Sequence, residues 1–378
     1  MVLLGSAFIR GTVAAVAIFA GQAVLADEVT LPRTMVWTSY DLGSTGYVEA
    51  SAMADALDKN YGTTVRLTPS GTGIGRMLPL AKKRATFGFM GNEIFFASEG
   101  MFEFAARDWG PQEVRVLLGR PAAVGLITGL DTDIESVADL KGRKVGFVQA
   151  SPSTLMNTEA ALAFGDLTVD DVEQVIYPGY GAMVQGFIAG EIDAVPVTPT
   201  VSALREAEGG RGVRWLDMPG SDSAGWDRVR ASATIFSPTS MTVGVSISED
   251  DPAELLGYRY PQLTTYADTS EDEVYNLVKA LDESYDLFKD ANGVIARWNM
   301  QDAGSSPAGA PFHPGAIKYL REKGVWDAED DAWNETRIAR LEAVKSAWAA
   351  ATEKADAEKV SDDDWPAFWD SYRSDALN

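Results

Sequence analysis

The chain has 378 residues, 55 Asp+Glu against 32 Lys+Arg, a formal net charge of −23, no cysteine and a single histidine, His313. A field of that sign repels nucleic acid and anionic lipid headgroups and mainly favours solubility. Without cysteine there is no disulfide framework, lipid-attachment cysteine or thiolate chemistry, and one histidine excludes histidine triads and zinc sites with several His or Cys ligands.

Residues 1–26 read as an export signal. Arg10 is their only charge, 11–25 are apolar, and Val24-Leu25-Ala26 offers small residues where a signal peptidase reads. At roughly 15 residues the apolar run is shorter than the ~20 needed to span a bilayer. Cleavage before Asp27 and an exported, soluble product are therefore expected. No later run is long enough to cross a membrane, and the remainder is long enough for two domains with their own cores.

From residue 34 onward strands and helices alternate. Strands are expected at 34–39, 64–68 and 86–90, with helices over about 48–60 and through Met77 and Leu80. Between them lie Gly43-Ser44-Thr45-Gly46-Tyr47, Ser70-Gly71-Thr72-Gly73 and Gly91-Asn92-Glu93. That order argues for βα units around a largely parallel sheet. Residues 114–118 and 123–128 look like two strands leaving this first half.

A second α/β unit begins at 134. It has a strand at 145–148, the polar turn 149–154, a helix from Leu155, a helix over 181–190 and a strand at 194–197. Strands at 233–236 and 241–245 carry the chain back, so crossings between the halves are expected near 119–125 and 238–245. Domain I then comprises 27–120 and 245–324, and domain II comprises 121–244. Long helices follow at 271–288 and 337–358, the latter in an extension over 325–378 expected to pack on domain I. The acidic run 327–331 reads as a solvated face. Asp131-Thr132-Asp133-Ile134-Glu135 reads as a solvated turn, because Ser136 stands where a calcium loop needs glycine.

Three hydroxyl-rich turns, at 43–45, 70–73 and 151–154, each connect a strand to a helix start. Ligands of open α/β sheets bind at carboxyl strand ends, where helix N-termini present free N–H donors and the positive dipole end. Two of the turns belong to one half and one to the other, so closure would bring all three onto one small anion.

In this order the residues resemble the TAXI-type solute-binding receptors of TRAP transporters, over nearly the whole chain after residue 26. Gly43-Ser44-Thr45-Gly46-Tyr47 and Ser70-Gly71-Thr72-Gly73 are similar to that family's two glycine-hydroxyl turns. Asp139-Leu140-Lys141-Gly142-Arg143-Lys144-Val145 and Gly190-Glu191-Ile192-Asp193-Ala194 are similar to pieces of its second domain. The stretch Pro311-Phe312-His313-Pro314-Gly315-Ala316-Ile317-Lys318-Tyr319-Leu320-Arg321-Glu322-Lys323-Gly324 looks like its carboxy-terminal signature.

The resemblance implies a periplasmic receptor of type II binding-protein architecture, with two α/β domains, mixed sheets and a two-crossing hinge. It further implies capture of a small anionic solute, such as a dicarboxylate, a 2-oxoacid or an acidic amino acid, for a TRAP-type membrane permease. The chain departs from the family at Gly75 and Arg76, where an Asn is usual, in the less glycine-rich turn 151–154, and in the extension 325–378.

The candidate ligand-binding residues are Ser44, Thr45, Ser70, Thr72, Gly73, Ser151, Ser153 and Thr154 at the helix starts, with Tyr47, Arg76, Asn92 and Thr198. The hydroxyls could equally act as plain caps, each worth ~1 kcal/mol without any ligand. Tyr47 could simply pack. Arg76 could pair with a ligand carboxylate or lie on the surface. His313 reads as an oriented packing residue at a helix start. The expected protein has no catalytic residue, metal or cofactor and is a monomer. The competing reading is an exported enzyme with paired carboxylates as acid and base, and a weaker one is a sensor docking to a membrane receptor.

Overall fold

The computed structural model describes residues 1–2, 28–40, 42, 44–149, 151–201 and 203–377. The predicted signal and its cleavage point lie outside the described residues, apart from Met1 and Val2. Among the described residues no helix is long and apolar enough to cross a membrane.

The strands are β1 (Thr34–Ser39), β2 (Thr64–Pro69), β3 (Phe87–Met90), β4 (Val114–Thr128), β5 (Lys144–Val148), β6 (Glu173–Tyr177), β7 (Ala194–Val197), β8 (Arg214–Trp215), β9 (Ser237–Met241) and β10 (Ala253–Tyr266). They run in the order β2-β1-β3-β10-β4-β7-β5-β6, with β8 beside β4 and β9 beside β10. β1 is parallel to β2 and β3, and β5 is parallel to β6 and β7. β4 and β10 are antiparallel to each other and to their outer neighbours, so the sheet is mixed.

The helices are α1 (Thr45–Tyr61), α2 (Gly73–Ala81), α3 (Glu93–Glu99), α4 (Pro152–Phe164), α5 (Tyr180–Ile188), α6 (Leu204–Gly209), α7 (Ser223–Ser232), α8 (Glu271–Glu283), α9 (Tyr285–Phe288), α10 (Met300–Ala303), α11 (Pro314–Glu322), α12 (Ala328–Glu358) and α13 (Trp365–Leu377). The helix starts after β1, β2 and β3 lie at carboxyl strand ends, as the turn chemistry predicts. Ser44 Oγ accepts from Tyr47 N at 3.1 Å and Thr72 Oγ1 accepts from Gly75 N at 3.1 Å, so both hydroxyls cap their helices. Ser151 makes no side-chain cap to α4, and Thr154 Oγ1 instead donates to Ser151 O at 3.0 Å.

Two long strands join the halves. β4 pairs with β10 at Val114–Leu118 and with β7 at Gly125–Thr128, so residues 114–128 form one strand where the sequence suggests two. The return passage is β10, which pairs with β9 at its start and β3 near its end, and not a strand at 241–245. Its register slips between Arg259 and Gln262, where the two half-sheets meet. Arg259 is buried there and donates to Gly119 O (2.6 Å), Asp302 O (2.6 Å) and Pro307 O (3.1 Å).

Other boundaries move for local reasons. The helix expected over 271–288 breaks at Ser284 into α8 and α9. The last long helix starts at Ala328, nine residues before the expected Arg337, because Asp327 caps it with Asp330 completing a capping box. The acidic run is thus not a plain solvated face. Asp330 is buried and accepts from Ser306 N at 2.7 Å, and Asp331 accepts from Trp326 Nε1 at 2.8 Å.

α12 and α13 lie against α3 and the 3-10 turn Phe102–Ala105. Glu99, at the end of α3, receives Arg337, Arg340 and Arg373 from this extension. His313 caps α11 and is 1% exposed, a packing residue as expected.

Candidate functional site

A cavity of about 440 Å³ opens between the halves, at the start of α1 and beside the two crossings. The first half supplies Ser44 and Thr45, the second supplies Thr198 and Thr200, and the crossing strands supply Arg120 and Tyr260. The segment before α10 adds Asn292 and Arg297, and among the described residues no Asp or Glu lines the space.

Arg120 is held in place from behind. Its Nε donates to Glu49 Oε1 and Oε2 at 3.1 and 3.2 Å, and Trp298 Nε1 donates to Glu49 Oε2 at 2.9 Å. Glu49 is fully buried inside α1 and Arg120 is 7% exposed, so the pair is rigid and locally neutral. Its two Nη nitrogens have no hydrogen-bond partner among the described residues.

Asn292 is oriented with the same economy. Its Oδ1 accepts from Val294 N and Ile295 N, both at 2.9 Å, which fixes the amide and leaves Nδ2 as a buried donor without a partner. Arg297, in the 3-10 turn Ile295–Trp298, is half-buried and forms no ion pair with a described residue. Tyr260 closes the back of the cavity. Burial first, and the nearby Glu93 carboxylate second, push its phenol up, so it stays protonated and available as a donor.

Behind Tyr260 lies a buried polar cluster at the ends of β1, β2 and β3. Arg76 Nε and Nη2 donate to Glu93 Oε1 at 3.0 and 2.7 Å, and Nη1 donates to Ser70 O at 3.0 Å. The guanidinium carbon sits 3.9 Å over the Tyr40 ring, and Tyr40 meets Tyr260 edge-on at 5.5 Å. Position 91 must be glycine, since a Cβ there would lie 2.6 Å from Tyr40 Oη and 3.0 Å from Glu93 Oε2. Asn92, next along, donates from Nδ2 to Asn157 Oδ1 at 3.2 Å, which ties α3's start to α4 in the other half.

The structure therefore sorts the sequence candidates. Ser44, Thr45 and Thr198 line the cavity. Arg76 is neither a surface residue nor a free partner for a ligand carboxylate, because Glu93 already occupies its fork. Ser70, Thr72 and Gly73 flank that pair, and Gly73 approaches Glu93 so closely that a Cβ would lie 3.0 Å from its own. Asn92 faces Asn157, while Ser151, Ser153 and Thr154 stand one turn before Asn157 at the start of α4 and do not line the cavity. Tyr47 provides a backbone N–H to the α1 cap, and its ring is not among the lining groups.

Sequence reasoning misses Arg120, Asn292, Arg297, Tyr260 and Asn157. Only Arg120 carries a local signal, lying between Gly119 and Pro121 in a mostly apolar strand. Among the described residues no group of three or more His, Cys, Asp or Glu side chains could hold a metal ion.

The profile of the NMT1-like family matches residues 42–324. The chain is similar to the periplasmic aliphatic sulphonate binding protein SsuA from Escherichia coli, at 18% identity over 81% of this chain and 88% of that one, with a TM-score of 0.46. It is similar to a TctC solute binding protein from Polaromonas, at 14% identity over 68% of this chain and 86% of that one, with a TM-score of 0.46. It is also similar to an ancestral arginine-binding protein bound to arginine, at 15% identity over 71% and 99% of the two chains, with a TM-score of 0.39.

Proposed function

The chain belongs to the NMT1-like family, and we propose that it is a periplasmic solute-binding protein that captures a small anionic solute between its halves and hands it to a membrane permease. The resemblance to TAXI-type receptors supports a TRAP permease as that partner. One observation carries the reading: a cavity bounded by both halves holds two arginines, an unpartnered amide donor and several hydroxyls, with no acidic side chain among the described residues. Such a lining desolvates an anion at little cost, and closure of the two halves completes it.

The competing enzyme reading needs two carboxylates poised as acid and base. Glu49 and Glu93, which back the cleft, are both buried and each is bound to an arginine. Neither is placed to exchange a proton with a ligand.

Mass spectrometry of small molecules released from purified protein, followed by calorimetry with each one found, tests the proposal. An organic acid binding with one-to-one stoichiometry is the expected result. Release and tight binding of only sugars or cations would refute it.

A further inference from the structure

We infer that the cavity selects solutes carrying a single negative charge, and that Arg297 is the residue that sets this preference. The inference rests on the solute-binding reading above and narrows it, since an anion-binding cleft could hold a dianion equally well.

The charges of the described residues around the cleft nearly balance. Among the described residues, Arg120 and Arg297 are the only cationic side chains lining the cavity. Arg120 is cancelled by Glu49, which is fully buried and bound to it through both carboxylate oxygens. The deeper guanidinium, Arg76, is cancelled by Glu93 at 2.7 Å. Arg297 has no ionic partner among the described residues, so the lining carries one uncompensated positive charge.

Neutral donors are also at hand: Asn292 Nδ2, the hydroxyls of Thr45 and Thr200, and the Nη nitrogens of Arg120. They can orient a headgroup, but they cannot neutralise a second one. A second carboxylate brought into this space would be desolvated without a counter-charge, which costs far more than an unpaired neutral polar group. The remaining wall, Ala122, Ala123, Met241 and Val243, is apolar. It suits the hydrocarbon body of a small organic monoacid.

The test uses the full chain and matched straight-chain acids of three to six carbons: monocarboxylates, ω-amide monoacids and dicarboxylates of equal length. Calorimetry at pH 7.5 should give Kd values for the monoanions at least about tenfold below those of the equal-length dianions, as the added desolvation requires. Near pH 5, where a dicarboxylic acid is largely a monoanion, that gap should close. Arg297→Gln, which removes the one uncompensated charge, should weaken the monoanions by about tenfold or more, while Arg297→Lys restores most of their affinity.

Dianions binding as tightly as monoanions at pH 7.5, or an unchanged monoanion affinity in Arg297→Gln, would overturn the inference and leave the acid-binding reading standing. Failure of every acid to bind at millimolar concentration, with binding by neutral analogues, would overturn both.

Discussion

Asn92 and Asn157 share a buried hydrogen bond of 3.2 Å although they are 65 residues apart and belong to opposite halves of the molecule. Asn92 is 4% exposed and Asn157 9%, and Asn92 Oδ1 has no partner of its own. The bond therefore acts where the two halves touch, one turn inside α4 and at the start of α3. Asn157→Ala strands the Asn92 amide in a dry contact, which should cost about 1–3 kcal/mol. Because the lost contact spans the halves, the variant should also open: urea unfolding should show the loss and small-angle scattering a larger radius of gyration. Unchanged stability with an unchanged radius would make the contact incidental.

The Arg76–Glu93 pair makes the second prediction. Both side chains are below a tenth exposed, and Arg76 also holds Ser70 O and the Tyr40 ring. Glu93→Gln leaves a buried guanidinium without its counter-charge and should cost about 3–5 kcal/mol. The double variant Arg76→Met/Glu93→Leu, which removes both charges, should lose clearly less than that single change. A double-mutant cycle by denaturant unfolding measures the difference. Additive losses would mean that the two charges do not depend on each other.

The relation between sequence and structure is uneven for physical reasons. β1, β2 and β3 are legible because each is a short apolar or alternating run ending in a polar, glycine-containing turn, and local turn chemistry is written in neighbouring residues. β10 is not legible. It is buried on both faces, so it lacks alternation, and it carries Gly257 and Pro261, which read as punctuation. The same applies to β4, where Gly119 and Pro121 suggest a break that the pairing with β10 bridges.

The cavity follows this division. Ser44, Thr45 and Thr198 sit at turns and can be found from sequence, whereas Arg120, Asn292 and Arg297 converge from segments more than a hundred residues apart. Arg76 shows the converse error. Its place just after the 70–73 turn is visible in the sequence, but its partner Glu93 lies 17 residues on and only the folded sheet brings them together.

His313 gives a prediction in pH. Its Nδ1 accepts from Gly315 N at 3.1 Å and its Nε2 faces Thr269 O at 3.1 Å, so the neutral ring carries its proton on Nε2. Burial, the main cause, pushes the imidazole below its ordinary value of 6.5, and the Arg115 charge adds to this against the opposing Thr269 carbonyl and Glu271. Protonation at Nδ1 would remove the α11 cap. A histidine with a lowered folded value contributes its full stability above pH 6.5 and loses it as the pH falls below that towards the folded value. His313→Asn keeps a capping side chain without the titration. Between pH 7.5 and 5 the wild-type melting temperature should therefore fall more than the variant's, and parallel profiles would refute the assignment. With one histidine in the chain, its imidazole resonance can also be followed directly by NMR.

The last prediction concerns α13. Trp365 and Trp369 are both fully buried, and their indole N–H groups donate to Ala105 O at 2.8 Å and Gly100 O at 2.6 Å. The two rings stack nearly parallel at 6.5 Å and each meets Trp348 of α12 edge-on, at 4.9 and 4.8 Å. α13 thus fastens α12 to the segment that follows α3, and Arg373 adds a third cation to Glu99. Truncating a buried tryptophan costs about 3–5 kcal/mol, so deleting residues 361–378 should lower the melting temperature by many degrees. The cavity lies at the start of α1 and uses no residue of the extension. Affinity for any bound acid should therefore change little, and the oligomeric state should stay the same. A helix reserved for dimerisation would behave differently: light scattering would show a dimer lost on deletion while the monomer melted as before. Trp369→Phe separates packing from hydrogen bonding within the same clamp. It keeps most of the buried ring and leaves Gly100 O unpaired, so it should cost about 1–3 kcal/mol, well below the loss from the deletion.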